Sequence, residues 1–213
     1  MAEPLRIFPF MPGGAADGAT LPAGPFALAD MTASPRFGLK GPGSADWLAA
    51  QGVSLPSVNR IGIYRDTRVL RLGKEDIVLL AEGAADALAA LKSAWHRDTG
   101  PKGYLSWREE GWAWMRLSGP DLEKGMRRLC ALDLRRAYFG SDEIAQTRVG
   151  HVEAVLFRSG DAFDVLFDIT ASAFFARTVA AVTKHCSQDN YSWKETHDPS
   201  PRHHRADPDA VRE

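Results

Sequence analysis

The feature that most constrains this 213-residue chain is an internal repeat. Phe37-Gly38-Leu39-Lys40-Gly41-Pro42 returns as Met115-Arg116-Leu117-Ser118-Gly119-Pro120, in each case an apolar strand closing on Leu-x-Gly-Pro. Pro42 and Pro120 suit the first turn of a helix, where a missing N–H costs nothing, and Ser44 to Gln51 and Asp121 to Cys130 then show apolar and polar faces. A second pair follows. Arg71-Leu72-Gly73-Lys74-Glu75-Asp76-Ile77-Val78-Leu79-Leu80 matches Arg158-Ser159-Gly160-Asp161-Ala162-Phe163-Asp164-Val165-Leu166-Phe167, a glycine-centred turn entering an apolar strand. An Ala-rich amphipathic segment comes after each, Ala84 to Trp95 and Ala171 to Lys184.

Both units therefore read strand, helix, strand, turn, strand, helix. This order predicts an α+β fold of two pseudo-symmetric, ferredoxin-like β-α-β-β-α units, residues 27–98 and 99–186, whose sheets meet around one centre in a single compact domain. Tyr104 to Trp107 and Trp112 to Leu117 read as a hairpin around Arg108-Glu109-Glu110-Gly111, with Trp107, Trp112 and Trp114 as cross-strand packing or, alternatively, a stacking platform for a ligand. Gln146 to Phe157 reads as one long strand with an apolar second half.

The ends differ in kind. Residues 1–26 mix five prolines with glycines, which oppose both helix and central strand, so they form an arm. Its cluster of Leu5, Ile7, Phe8, Phe10 and Met11 packs either on the chain's own globule or on a partner. Residues 187–213 read as a polar tail, in which Arg202-His203-His204-Arg205 is a solvated run or an anion or metal contact, and Trp193 is the one large anchor. Phe8, Phe10, Trp193 and Arg148 are the partner-interface candidates.

With 26 basic and 27 acidic side chains the formal charge is -1, which gives no net pull toward nucleic acid or an anionic membrane. Two cysteines, Cys130 and Cys186, do not make a disulfide scaffold, and Met1 to Phe10 lacks the form of a signal peptide, so a cytoplasmic location is expected. No Gly-x-Ser-x-Gly elbow or Cys-x-x-Cys pair occurs in the sequence. His185-Cys186 reads as a helix C-terminus, with a metal pair as the alternative. Gly41-Pro42-Gly43 and Gly119-Pro120 lack the P-loop lysine and the order of a dinucleotide fingerprint, and read as tight turns. Gln146, Thr147, Arg148 and His151 form the most suggestive polar set: Gln146 and Arg148 share one strand face and Thr147 and His151 the other, giving an Arg–carboxylate contact or a small-molecule site. No catalytic, cofactor-binding or metal-binding residue is assigned.

Pro35-Arg36-Phe37-Gly38-Leu39-Lys40-Gly41-Pro42-Gly43, Leu117-Ser118-Gly119-Pro120-Asp121, Leu132-Asp133-Leu134, Ala145-Gln146-Thr147-Arg148 and Phe163-Asp164-Val165-Leu166, taken in this order, resemble the gamma subunit of heterotetrameric sarcosine oxidase. The likeness spans about residues 28 to 185 and leaves both ends outside it. It implies a small structural subunit, related in fold to the folate-binding domain of aminomethyltransferases, in an oxidoreductase complex with alpha, beta and delta subunits. Those partners are expected to carry FAD, FMN, NAD and zinc, to oxidise sarcosine to glycine, and to pass the one-carbon unit to tetrahydrofolate. Equivalent subunits serve complexes acting on other N-methyl amino acids, such as N-methylglutamate dehydrogenase. The related fold also raises a folate-binding module as an alternative, with Asp133 or Glu153 as the carboxylate for the pterin ring.

Overall fold

A computed structural model describes residues 26–106 and 108–195, with side chains to residue 186. Phe8, Phe10, Trp107, the side chain of Trp193 and the Arg202–Arg205 run lie outside what is described. The first half runs β1 (Ala27–Asp30), β2 (Arg36–Lys40), α1 (Ser44–Ala50), β3 (Arg60–Tyr64), β4 (Thr67–Gly73), β5 (Asp76–Leu80) and α2 (Asp86–Arg97). The second runs β6 (Tyr104–Leu105), the single turn α3 (Arg108–Gly111), β7 (Trp112–Ser118), α4 (Leu122–Leu129), β8 (Ile144–Val149), β9 (Val152–Ser159), β10 (Ala162–Asp168) and α5 (Ser172–Glu195).

These strands form two five-stranded sheets, ordered β3-β4-β5-β2-β6 and β8-β9-β10-β7-β1, and neighbouring strands pair antiparallel. The result is an α+β fold in four layers. On the outer face of the first sheet, Phe37, Leu39, Ile77 and Leu79 pack against Trp47 and Leu48 of α1 and Leu88 and Leu91 of α2. The outer face of the second sheet packs Met115, Leu117, Phe163 and Val165 against Met126 of α4 and Phe175 and Val179 of α5. Between the sheets lie Leu70, Leu72, Val78 and Leu80 from one side and Trp114, Val155, Phe157 and Leu166 from the other. Helical spacing accounts for each outer layer: Ala87, Leu88, Leu91 and Ala94 of α2, and Leu122, Gly125, Met126 and Leu129 of α4, fall on one buried stripe. At one corner the sheets are joined by backbone bonds, Ile61 N to Asp142 O at 2.8 Å and Ile144 N to Asn59 O at 3.0 Å.

The repeat matches the sheet order, because β3, β4, β5 and β2 stand in the first sheet as β8, β9, β10 and β7 stand in the second. Each half carries three strands between its helices, one more than the repeat predicts. The predicted long strand over 146–157 is in fact two. Gly150 and His151, with φ of 56° and 68°, turn the chain back into a β8–β9 hairpin, and Gly150 fits there because glycine adopts a positive φ without steric cost.

The predicted Tyr104–Leu117 hairpin does not form. Tyr104 and Leu105 pair with Lys40 and Leu39 in the first sheet, while Trp112 starts a strand of the second. Buried Arg36 holds the intervening turn by donating to Glu109 O at 2.9 Å and Trp112 O at 3.0 Å, so backbone carbonyls that a hairpin would pair internally are bound to a side chain instead. The last helix continues to Glu195, beyond the predicted Lys184, so His185-Cys186 is not a helix end: His185 is exposed, and Cys186 is sealed in the core.

Candidate functional site

The space between the sheets is closed at one end and open at the other. At the closed end Arg116 of β7 grips Asp164 of β10 with two bonds, Nε to Oδ1 at 2.7 Å and Nη2 to Oδ2 at 2.8 Å, and reaches Glu82 at 2.9 Å. Arg68 of β4 meets Glu82 at 3.0 Å, Asp164 at 3.5 Å and the Ser159 hydroxyl at 2.9 Å. Two guanidinium groups thus answer two carboxylates. Burial pushes the Asp164 carboxyl up despite Arg116, whereas the hydrogen bond from Arg116 holds Glu82 below the usual carboxylate range.

At the open end lies a cleft of about 430 Å³ between Lys40, Leu72, Asp76 and Arg108 on one wall and Trp112, Gln146, Glu153, Val155, Leu166 and Asp168 on the other. Volumes of this order hold small organic ligands. Gly38 makes the first wall possible: a Cβ there would stand 2.6 Å from Cγ of Arg108 and 2.3 Å from the Ser106 hydroxyl oxygen. Arg108 crosses that gap, lies 3.7 Å from the Trp112 ring centroid, and donates from Nη2 to both oxygens of Asp76 at 3.2 and 3.0 Å. Lys40 stands 3.4 Å from the same carboxylate. On the opposite side Asp168 accepts from the hydroxyl and the backbone N–H of Thr170, which hold its carboxyl below the usual range.

The polar set seen in the sequence is brought to this cleft only in part. Gln146 and Thr147 line it, and the Gln146 amide donates to Leu72 O at 2.6 Å and to Asn59 at 2.8 Å, tying the sheets together. Arg148 projects outward and pairs with Glu153 at 2.5 Å, both side chains 75% exposed, so the Arg–carboxylate contact is a surface pair across the hairpin. His151 sits exposed at the hairpin tip. The two carboxylates considered for a pterin ring do not share a site: Glu153 borders the cleft, while Asp133 lies in a groove beside α4, held to about 2 by the Arg135 guanidinium. Trp114 is core and Trp112 is a cleft wall.

Sequence reasoning missed Lys40, Asp76 and Arg108. Their only signal is the charged stretch Lys74-Glu75-Asp76 and the lysine before Gly41-Pro42, neither of which reveals that the two meet. Gly41 and Gly43, with φ of 90° and 88°, make the tight turn, as read. Among the described residues no group of three His, Cys, Asp or Glu side chains is placed to hold a metal ion, and no helix is long and apolar enough to cross a membrane.

No protein-family model and no curated protein matches the chain. Solved structures do. A chain of the heterotetrameric sarcosine oxidase from Corynebacterium sp. U-96, in complex with pyrrole 2-carboxylate, matches with a TM-score of 0.63 at 23% identity, over 76% of this chain and 87% of that one. The glycine cleavage system aminomethyltransferase T from Bartonella henselae matches with a TM-score of 0.51 at 16% identity, over 71% of this chain and 44% of that one. The chain thus spans less than half of the aminomethyltransferase but most of the sarcosine oxidase chain. At these identities the likeness establishes a shared fold.

Proposed function

We propose that the chain is the gamma-type structural subunit of a heterotetrameric, cytoplasmic sarcosine oxidase. The observation that carries this reading is the extent of the fold match, 87% of a chain from such a complex, at a size where only 44% of an aminomethyltransferase is covered. The order of the sequence motifs points the same way. In this reading the two halves are pseudo-symmetric, ferredoxin-like units joined into one scaffold. Alpha, beta and delta partners would carry FAD, FMN, NAD and zinc and perform the demethylation of sarcosine with transfer to tetrahydrofolate. Arg148, Phe8, Phe10 and Trp193 are the proposed contacts with those partners, Arg148 because its pair with Glu153 is exposed enough to be exchanged at little cost.

Co-expression of the tagged chain with the alpha, beta and delta subunits tests this. The expected result is one hetero-oligomer, yellow from bound flavin, that oxidises sarcosine. A soluble monomer that leaves all three subunits in the flow-through overturns the reading. Assay of the same complex on N-methylglutamate distinguishes the sibling complex. A folate-binding module is the second reading, favoured by the aminomethyltransferase fold; calorimetry with a reduced folate decides it, since heat that is absent at millimolar concentration removes it.

A further inference from the structure

The groove beside α4, about 440 Å³ in volume, lies between that helix and the loop that follows it. Its apolar lining consists of Met126, Cys130 and Leu134, all buried, and of Leu132, which is 44% exposed although it borders that lining. The rim carries no net charge, because Glu123 and Asp133 match Arg127 and Arg135. Such a groove has no pull for an ion, and what it offers is apolar surface that another apolar surface can cover.

The start of the described chain says where such a surface comes from. Phe26 is buried with its ring against Gly125 of α4. Helical steps of about 100° put Gly125 on one flank of α4 and Glu123, Arg127 and Cys130 on the other, so the residues before Phe26 have to round only one helix, about 10–12 Å across. The residues from Pro12 to Pro25 include four glycines and four alanines. A chain of that length and composition has an end-to-end distance of about 20 Å, enough for the path. Ahead of it stands Leu5-Arg6-Ile7-Phe8-Pro9-Phe10-Met11, the apolar run of the arm.

We infer that Leu5 to Met11 of the same chain occupies the groove, with Leu5, Ile7 and Met11 against Met126, Leu132 and Leu134. An extended segment alternates its side chains, so Phe8 and Phe10 face outward, where they stay available to partner subunits. Tethering favours the chain's own arm over that of a second copy: a short linker gives an effective concentration of about 1 mM, at which a segment with an intrinsic dissociation constant of about 0.1 mM is docked about nine-tenths of the time. A second copy at micromolar concentration does not compete with that. The inference goes beyond the subunit reading and does not depend on it.

The test uses the full-length chain. Ile7→Cys combined with Leu132→Cys should form an intramolecular disulfide under mild oxidation. Ile7→Cys combined with Ile63→Cys should not, although Ile63, on β3 of the other sheet, is 65% exposed. Trypsin gives a readout that needs no added cysteine. The Arg6–Ile7 bond should be cut about tenfold more slowly in the parent than in Leu132→Asp, a change at a half-exposed loop position, while cleavage after Arg202 in the tail stays the same in both. The inference is overturned if Arg6 is cut equally fast in the two proteins, if no disulfide to Leu132→Cys forms, if Ile63→Cys matches it, or if the disulfide joins two chains, which would make a second copy the occupant. Each of these outcomes leaves assembly with flavin subunits untouched, so the two readings fail separately.

Discussion

Gly125 shows how a residue can be chosen by a neighbour rather than by its own element. It sits inside α4, where glycine is a poor helix former by about 1 kcal/mol relative to alanine. A Cβ at this position would stand 2.3 Å from the Phe26 ring, which is itself buried just ahead of β1. Gly125→Ala should therefore destabilise the protein by about 1–3 kcal/mol in urea unfolding, against the sign that helix propensity gives, and Phe26→Leu in the same chain should recover part of the loss. Arg71 and Arg158, aligned by the repeat, share a role that only coordinates reveal. Arg71 donates to Pro56 O at 3.0 Å and Arg158 to Phe139 O at 3.0 Å, each fastening the crossover from a helix to the following strand. Their pairing was legible in the sequence. The carbonyls they hold were not, because those belong to loops with no pattern of their own.

At the scale of elements, the spacing of apolar residues marks α1, α2 and α4, whereas α5 runs past its expected end at Lys184 to Glu195. The N-terminus of α1 lacks a side chain of its own to cap it, since Gly43 occupies the cap with φ of 88°. Glu75, from the turn between β4 and β5, supplies the cap: its carboxylate accepts from the Ala45 N–H at 2.9 Å and from the Ser44 hydroxyl at 2.9 Å. The Ala45 bond is the main reason its carboxyl lies below the usual range. A depressed folded pKa means stability that is full above the unfolded carboxylate value of about 4.3 and lost as the pH falls through the lower folded value. Glu75→Gln should lower stability by about 1 kcal/mol at pH 7 and flatten the acid limb below about pH 4, measured as urea midpoints across pH. A pH profile identical to that of the parent counts against the cap. The sequence matched Glu75 with the repeat, yet its role depends on a helix thirty residues earlier. The β8–β9 hairpin was missed for a related reason. Its two turn residues, Gly150 and His151, stand between Val149 and Val152, which read as strand, and a non-glycine residue at positive φ is uncommon.

For the whole molecule the decisive feature is an exchange. β1 opens the first half but lies in the second sheet against β7, and β6 opens the second half but lies in the first sheet against β2. Neither half can complete a sheet alone, and the Arg68–Asp164 and Gln146–Leu72 contacts cross between them. Unfolding should accordingly be one cooperative transition, with tryptophan fluorescence and far-ultraviolet circular dichroism coincident in urea; two separated transitions would show that the halves are independent. What the sequence by itself determined is the α+β class, the doubled order of elements and the faces the helices bury, because these follow from periodicities of two and about 3.6 residues and from where Gly and Pro stand. Tertiary structure alone decided which sheet β1 and β6 join, and that Lys40, Asp76, Arg108 and Trp112 meet at one open cleft while the opposite end is filled by its own ion pairs. Those outcomes rest on contacts between residues far apart in the chain, such as Arg108 and Asp76, and no local pattern of apolar and polar residues carries that information.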